Sequence, residues 1–153
     1  MELILWRHAE AEKLVGGLPD LDRKLTENGK KQAASMAAWL KPRLPKNTRI
    51  HVAPSRRTRH TADFLELAYS VERKLGMGAD TTDLLSVANW PEGREAVLIV
   101  CHQPSIGRLV SLFIGGTESD MPIKKCGVLW FSTREREHHA QVVLRAAMYP
   151  DLI

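Results

Sequence analysis

The pattern of apolar and polar positions predicts an α/β protein in which two buried strands end in histidine. Near the N-terminus, the apolar run 3–6 stops at Arg7 and His8. A second apolar run, 96–101, leads directly into His102. Such unbroken runs are typical of parallel strands that are buried on both faces. Each histidine taken alone could simply end its strand, but ligands of open α/β sheets bind at the carboxyl ends of strands, so the pair favours one shared pocket.

Apolar positions at helical spacing predict two longer helices. Thr26 is expected to cap the first helix, whose apolar stripe continues to Leu40 before Pro42 ends it. The second helix should begin with Pro104 in its first turn and end at the Gly115-Gly116 pair. Both helices would cover faces of the predicted sheet.

The remaining segments give weaker signals. Four of them are predicted to be strands: 49–53, an edge strand around Leu75 and Met77, 126–132 and 141–147. The acidic and apolar stretch 83–85 is expected to be a loop, and the charged connection 133–139 a solvated hairpin tip.

A further helix is predicted after Pro54, and its first turn is rich in arginine. Cations are unfavourable at the positive end of a helix dipole unless an anion also lies there. We therefore expect Arg57 to bind an anion. Three solvated arginines are the alternative, and this description is expected to fit Arg56 and Arg59.

Composition limits the class of protein. A chain of 153 residues with 44% hydrophobic residues is expected to form one domain, 1–153. No apolar stretch reaches the ~18 residues that span a bilayer, and charges interrupt the first twenty residues, so we expect a cytoplasmic protein without a membrane segment. Cys101 and Cys126 have no metal-binding spacing and are expected to be buried thiols. The net charge of +4 suits either nucleic acid or anionic substrates.

The charged residues at the predicted strand ends form a candidate phosphate site. Guanidinium groups bind phosphate oxygens in a bidentate fork, so Arg7 and Arg57 together with His8 and His102 would make a phosphate clamp. The sequence contains no phosphate-binding glycine loop, carboxylate cluster for magnesium or serine nucleophile elbow. Histidine is then the remaining nucleophile, and neither a metal nor another cofactor is expected.

These residues also carry a family resemblance. Arg7-His8-Ala9 resembles the Arg-His-Gly signature of the histidine phosphatase superfamily, to which phosphoglycerate mutases belong. Three further segments resemble motifs of its small SixA-type branch: 22–33, 54–61 and 101–104. The resemblance runs over nearly the whole chain. It implies a three-layer α/β/α sandwich with a mostly parallel mixed sheet, like that of phosphoglycerate mutase.

The resemblance also implies roles for individual residues. His8 would be the phosphorylated nucleophile, Arg7 and Arg57 would bind the phosphoryl oxygens, and His102 would be a donor to the transferring group. Arg23 would reach the same anion from the loop before the first helix. Three positions depart from the family pattern, and we interpret them as tuning: Ala9 in place of Gly, Ala53 in place of Ser and Lys24 in place of Pro.

The sequence constrains the identity of the substrate less than it constrains the fold or the site. Relatives that hydrolyse alkyl phosphates need a carboxyl general acid, and here only Asp83, or less suitably Glu10, is a candidate, although either could be a solvated carboxylate. Imidazole leaves easily, so the compact chain favours a phosphohistidine on a protein such as a phosphotransfer domain, with inorganic phosphate as product. A small sugar or nucleotide-derived phosphate ester is the alternative. A non-catalytic anion or nucleic-acid binding module is the third, disfavoured because the aromatic residues are not interleaved with the basic ones.

Overall fold

The computed structural model describes all 153 residues, Met1–Ile153, and contains one sheet of six strands. In chain order the strands are β1 (Glu2–Arg7), β2 (Arg49–Val52), β3 (Ser70–Val71), β4 (Val97–Cys101), β5 (Val128–Arg136) and β6 (His139–Met148). Their order across the sheet is β3-β2-β4-β1-β5-β6. The first four of these are mutually parallel, and β5 and β6 are antiparallel additions, which confirms the mostly parallel mixed sheet.

Four helices complete the fold: α1 (Glu27–Leu40), α2 (Arg56–Asp63), α3 (Thr81–Ala88) and α4 (Ser105–Gly115). Successive β1 side chains point to opposite sheet faces and so enter two different apolar cores. Ile4 and Trp6 pack with residues of α1 and α2. Leu3 and Leu5 pack with residues of α3 and α4. The helices therefore lie on both faces of the sheet, and the predicted three-layer α/β/α sandwich is confirmed.

The predicted ends of the two longer helices are largely confirmed. The Thr26 hydroxyl accepts a hydrogen bond from the Gly29 amide at 2.9 Å and so caps α1. Gly116 ends α4 with a left-handed φ of 80°. Pro104 does not lie in the first turn as expected but immediately precedes α4. No helix of the protein combines the length and the apolar character needed to cross a membrane.

The prediction for the segment between α2 and β4 was wrong. The edge strand is Ser70–Val71, whereas Leu75 ends a single 3-10 turn and Met77 follows it. Segment 83–85 lies inside α3 rather than in a loop. The short α3 depends on its cap, because reciprocal hydrogen bonds between Asp80 and Asp83 close its first turn, and apolar periodicity over eight residues is too brief to predict it.

The last two strands are longer than predicted. Residues 133–136 belong to β5, and only Glu137 and His138 form the turn, with left-handed φ values of 51° and 64°. Charged side chains on this exposed ribbon resemble a loop in sequence, yet they pair across strands, as Arg134 does with Gln141 at 3.0 Å. Cys126 precedes β5 instead of beginning it.

Candidate active site

The pairing of β1 with β4 brings the two predicted histidines together. The parallel register places Arg7 opposite Cys101, so His8 and His102 leave adjacent strands at the same level. The His8 amide donates a hydrogen bond to the Cys101 carbonyl at 3.2 Å. The two imidazole rings meet edge to face, with 5.4 Å between their centroids. Both side chains therefore lie next to each other at the carboxyl ends of the strands.

Hydrogen bonding fixes the proton on the His8 ring. Its Nδ1 lies 2.8 Å from the Ala9 carbonyl oxygen, which can only accept, so Nδ1 carries the hydrogen. The opposite nitrogen, Nε2, is consequently left with a free lone pair. Burial lowers the pKa of His8 to about 3; the hydrogen bond to Ala9 opposes this, and the charges of His102 and the two arginines add to it. The imidazole is therefore neutral near pH 7, as a nucleophile must be.

Thr61 on α2 anchors the backbone next to His8. Its hydroxyl accepts a hydrogen bond from the Ala9 amide at 3.0 Å and donates one to the Arg57 carbonyl at 2.7 Å. Thr61 is fully buried. The sequence alone did not predict a role for Thr61, although it is the last residue of the arginine-containing motif 54–61. The contact ties the position of Arg57 to that of His8.

Arg7, Arg57 and His102 each have at least one buried side-chain nitrogen without a hydrogen-bond partner. Arg7 donates from Nη1 to the Ile123 carbonyl at 2.6 Å, and Arg57 donates from Nη1 to the Asp20 carbonyl at 3.0 Å, but the Nε of each has no partner. Both ring nitrogens of His102 are also buried and unpaired, and burial lowers the pKa of His102 to about 4. Unpaired buried donors are unfavourable unless a ligand satisfies them, so this cluster is suited to an anion.

Asp20 is a residue of the candidate site that was not predicted from the sequence. Its carboxylate lies 3.3 Å from Nη2 of Arg57 and 2.9 Å from Nε of Arg23. Partial burial raises the pKa of Asp20, but the charges of Arg57 and Arg23 outweigh this effect and hold it below its usual value. The predicted arginine Arg23 thus reaches the site through Asp20. The spacing of three residues between Asp20 and Arg23 in the loop was the available signal.

The two carboxyl groups considered as general acids are engaged elsewhere. Asp83 accepts a hydrogen bond from the Asp80 amide at 3.0 Å as part of the α3 cap. Glu10 accepts from Thr26 at 2.8 Å and from Asn28 at 3.1 Å, and these hydrogen bonds lower its pKa. A general acid must hold a proton, which the contacts of Glu10 disfavour. The general-acid role of Asp83 stays a prediction.

A cavity of about 410 Å³ opens onto His102. Its other lining residues come from the loop before α1 and from the segments after β2 and β3: Asp20, Leu21, Pro54, Gly76 and Met77. The two thiols have no part in this site, since both are buried and burial raises the pKa of Cys101 and of Cys126 to about 12. No three His, Cys, Asp or Glu side chains come together as a metal site.

Comparisons with known proteins agree with this arrangement. The sequence model of the histidine phosphatase superfamily (branch 1) matches residues 3–76, which include Arg7, His8 and Arg57. A phosphohistidine phosphatase SixA homolog of Haemophilus influenzae is 31% identical over 131 residues, which cover 75% of this chain and 78% of the relative. The phosphohistidine phosphatase SixA of Escherichia coli is 30% identical over 131 residues, and the match covers 79% of each of the two chains. The chain belongs to the histidine phosphatase superfamily.

The fold of this histidine phosphatase also matches solved structures. The structure of the protein histidine phosphatase SixA complexed with tungstate aligns with a TM-score of 0.78 at 23% identity and covers 99% of both chains. This likeness confirms the phosphoglycerate mutase-like architecture. The resemblance inferred from the sequence motifs is likewise confirmed, and the two relatives named as phosphatases confirm the expectation of a hydrolase.

Proposed function

We propose that the protein is a metal-independent phosphatase that removes the phosphoryl group from protein phosphohistidine through a phosphorylated His8. The observation that carries this proposal is the 2.8 Å contact between Nδ1 of His8 and the Ala9 carbonyl, which leaves Nε2 free to attack. Buried nitrogens of Arg7, Arg57 and His102 that lack hydrogen-bond partners support it. The two SixA relatives, named for phosphohistidine, support this substrate class.

In the first step, the lone pair on Nε2 of His8 attacks phosphorus. A new P–N bond forms to His8 while the P–N bond of the substrate breaks, and the leaving imidazole takes the electron pair together with a proton from solvent. Arg7 and Arg57 bind the phosphoryl oxygens, and His102 donates to one of them. Phosphoryl transfer requires mainly positioning and neutralisation of charge, which these side chains supply.

In the second step, water attacks the phosphorus of phospho-His8. The bond to Nε2 breaks, inorganic phosphate leaves, and the attacking water loses a proton to solvent. Phosphorylation on Nε2 makes the ring cationic as long as Nδ1 keeps its proton, and the Ala9 carbonyl stabilises that proton throughout. His8 therefore returns to the same tautomer after each cycle.

The nature of the leaving group supports phosphohistidine over a small ester. A serine or sugar alkoxide needs a proton from a well-placed acid, whereas imidazole leaves at neutral pH after simple protonation. The two candidate carboxyl groups, Asp83 and Glu10, already accept other hydrogen bonds. The cytoplasmic location stays a prediction of the sequence, and a role in signal transduction by phosphotransfer is part of this proposal.

The proposal is tested by measuring phosphate release in EDTA from a phosphohistidine-bearing phosphotransfer domain and from p-nitrophenyl phosphate. We expect wild type to act on the phosphotransfer domain and His8→Asn to have no activity. Arg57→Lys, which keeps the charge but loses the bidentate fork, should lower both binding and rate. Release from the ester alone would indicate a small-molecule phosphatase, and release from neither would indicate a non-catalytic anion-binding module.

A further inference from the structure

A basic groove lies beside the candidate active site. It is a cavity of about 790 Å³ with no hydrophobic residue in its lining. Its cations are Arg7, Lys31, Lys124 and Lys125, and Asp151 is the one carboxylate among its lining residues. Arg7 belongs to both the groove and the phosphate cluster. The groove therefore begins where the candidate nucleophile leaves β1.

Both walls of the basic groove are attached to the backbone around His8. On one side, the Gln32 side chain of α1 accepts a hydrogen bond from the Glu10 amide at 3.0 Å. At Gly29, any Cβ would collide with the Glu10 carbonyl, so this helix lies directly against the strand exit. On the other side, the amide of Cys126, which follows the two lysines, donates to the His8 carbonyl at 3.0 Å. The groove is thus built in fixed register with the active site.

The lysines of the groove have no carboxylate within salt-bridge distance. Other lysines near this end of the molecule have glutamate partners, as Lys24 does with Glu12 at 3.8 Å. Lys31, Lys124 and Lys125 are exposed and form no salt bridge. Lys124 instead lies over the ring of Tyr149, 5.8 Å from its centroid. Such a concentration of one sign of charge attracts an acidic partner and speeds its association.

We propose that the basic groove docks acidic side chains that flank the phosphohistidine of the substrate protein. This inference rests on the proposed function, and it assigns the recognition of the protein part of the substrate. His8 is only 7% exposed, so the imidazole of the substrate must reach inward to His8 while the substrate backbone stays at the protein surface. The groove extends along that surface from Arg7. Lys31, Lys124 and Lys125 would therefore lie next to the residues that flank the phosphohistidine. A small phosphate does not extend that far.

The test compares two synthetic peptides of equal length with a central phosphohistidine, one flanked by Glu and the other by Gln. For wild type at low salt, kcat/KM should be about tenfold higher for the Glu peptide, and the preference should weaken as salt rises. In Lys124→Glu/Lys125→Glu this ratio should fall to one or below. The Gln peptide serves in each protein as the reference for the catalytic centre.

The matched control is Lys46→Glu/Arg94→Glu. These exposed residues precede β2 and β4 by three positions and therefore lie at the end of the sheet opposite His8. This variant carries the same change in net charge and should retain the preference for the Glu peptide. An equal loss in both variants would overturn local docking in favour of a general charge effect. An unchanged ratio in the groove variant would overturn the proposal directly.

Failure of the docking proposal can be distinguished from failure of the proposed function. If wild type hydrolyses both peptides equally, phosphohistidine is still a substrate and the groove is not a docking surface. If wild type hydrolyses neither, the proposed function fails, and docking is then decided by fluorescence anisotropy of the labelled unphosphorylated peptides. Tighter binding of the Glu peptide that is lost in Lys124→Glu/Lys125→Glu would uphold the groove, and equal binding would exclude it.

Discussion

Single residues of the site differ in how far the sequence reveals them. Arg7, His8 and His102 stand at the ends of apolar runs, so strand periodicity alone predicts that they converge. Asp20 and Thr61 give no such signal, because their partners Arg57 and Ala9 are 37 and 52 positions away in the chain. Only the fold shows which hydroxyl or carboxylate completes each hydrogen bond.

At the residue scale, Asp20→Asn tests whether this carboxylate competes with the substrate for Arg57. The substitution removes a negative charge that lies 3.3 Å from the guanidinium and keeps a side chain of the same shape. Inorganic phosphate should then bind about threefold more tightly, as the loss of one partly exposed ion pair implies. The measurement is the competitive inhibition constant of phosphate, with Asp22→Asn as the matched control. Weaker inhibition in Asp20→Asn would instead mean that Asp20 mainly orients Arg57.

Among the elements, those with long apolar patterns were predictable and those set by short-range contacts were not. The β1 and β4 runs and the stripes of α1 and α4 are long enough to identify from the sequence. α3 depends on an Asp80 cap over only eight residues, and β3 has two residues that pair with His51 and Val52. The charged end of β5 resembles a loop because both faces of that ribbon are exposed to solvent.

At the element scale, Thr61 is a positioning residue that joins α2 to the end of β1. Thr61→Val keeps the volume but leaves the Ala9 amide unpaired, which should lower the free energy of unfolding by about 1–3 kcal/mol. Because the Ala9 carbonyl orients His8, kcat should also fall. Thr61→Ser keeps the hydroxyl and should restore kcat, as measured by phosphate release beside denaturant unfolding. A Thr61→Ser variant as slow as Thr61→Val would show that the methyl contact, not the hydrogen bond, matters.

At the scale of the whole molecule, two histidines, His8 and His102, are buried in the neutral form. The folded pKa values of His8 and His102, about 3 and about 4, lie below the ordinary value of 6.5. Between the folded pKa values and the ordinary value, the unfolded chain binds more protons than the folded protein. The free energy of unfolding therefore increases with pH over this range. The stability is fully present above pH 6.5 and is lost progressively as the pH falls.

At this scale we predict that, as the pH falls, the free energy of unfolding begins to decrease before the carboxylates become protonated. Between pH 7 and pH 5.5, each of the two histidines should remove about 1 kcal/mol from the free energy of unfolding. Urea unfolding in phosphate-free buffer measures this, and His8→Gln/His102→Gln should show a much shallower dependence on pH. The exposed pair at the hairpin turn provides the control, since His138→Gln/His139→Gln should keep the wild-type slope. An equal slope in all three proteins would contradict the burial of neutral imidazoles.

The proposed mechanism depends most on the nucleophilic role of His8. Its direct test is to quench wild type and His8→Asn in base during turnover of a phosphohistidine substrate, and to locate protein-bound phosphate by peptide mass spectrometry. We predict one phosphoryl group on His8 of the wild type, stable in base and lost in acid, and none in His8→Asn. Turnover by wild type without phosphate on His8, together with retained turnover in His8→Asn, would contradict the covalent mechanism.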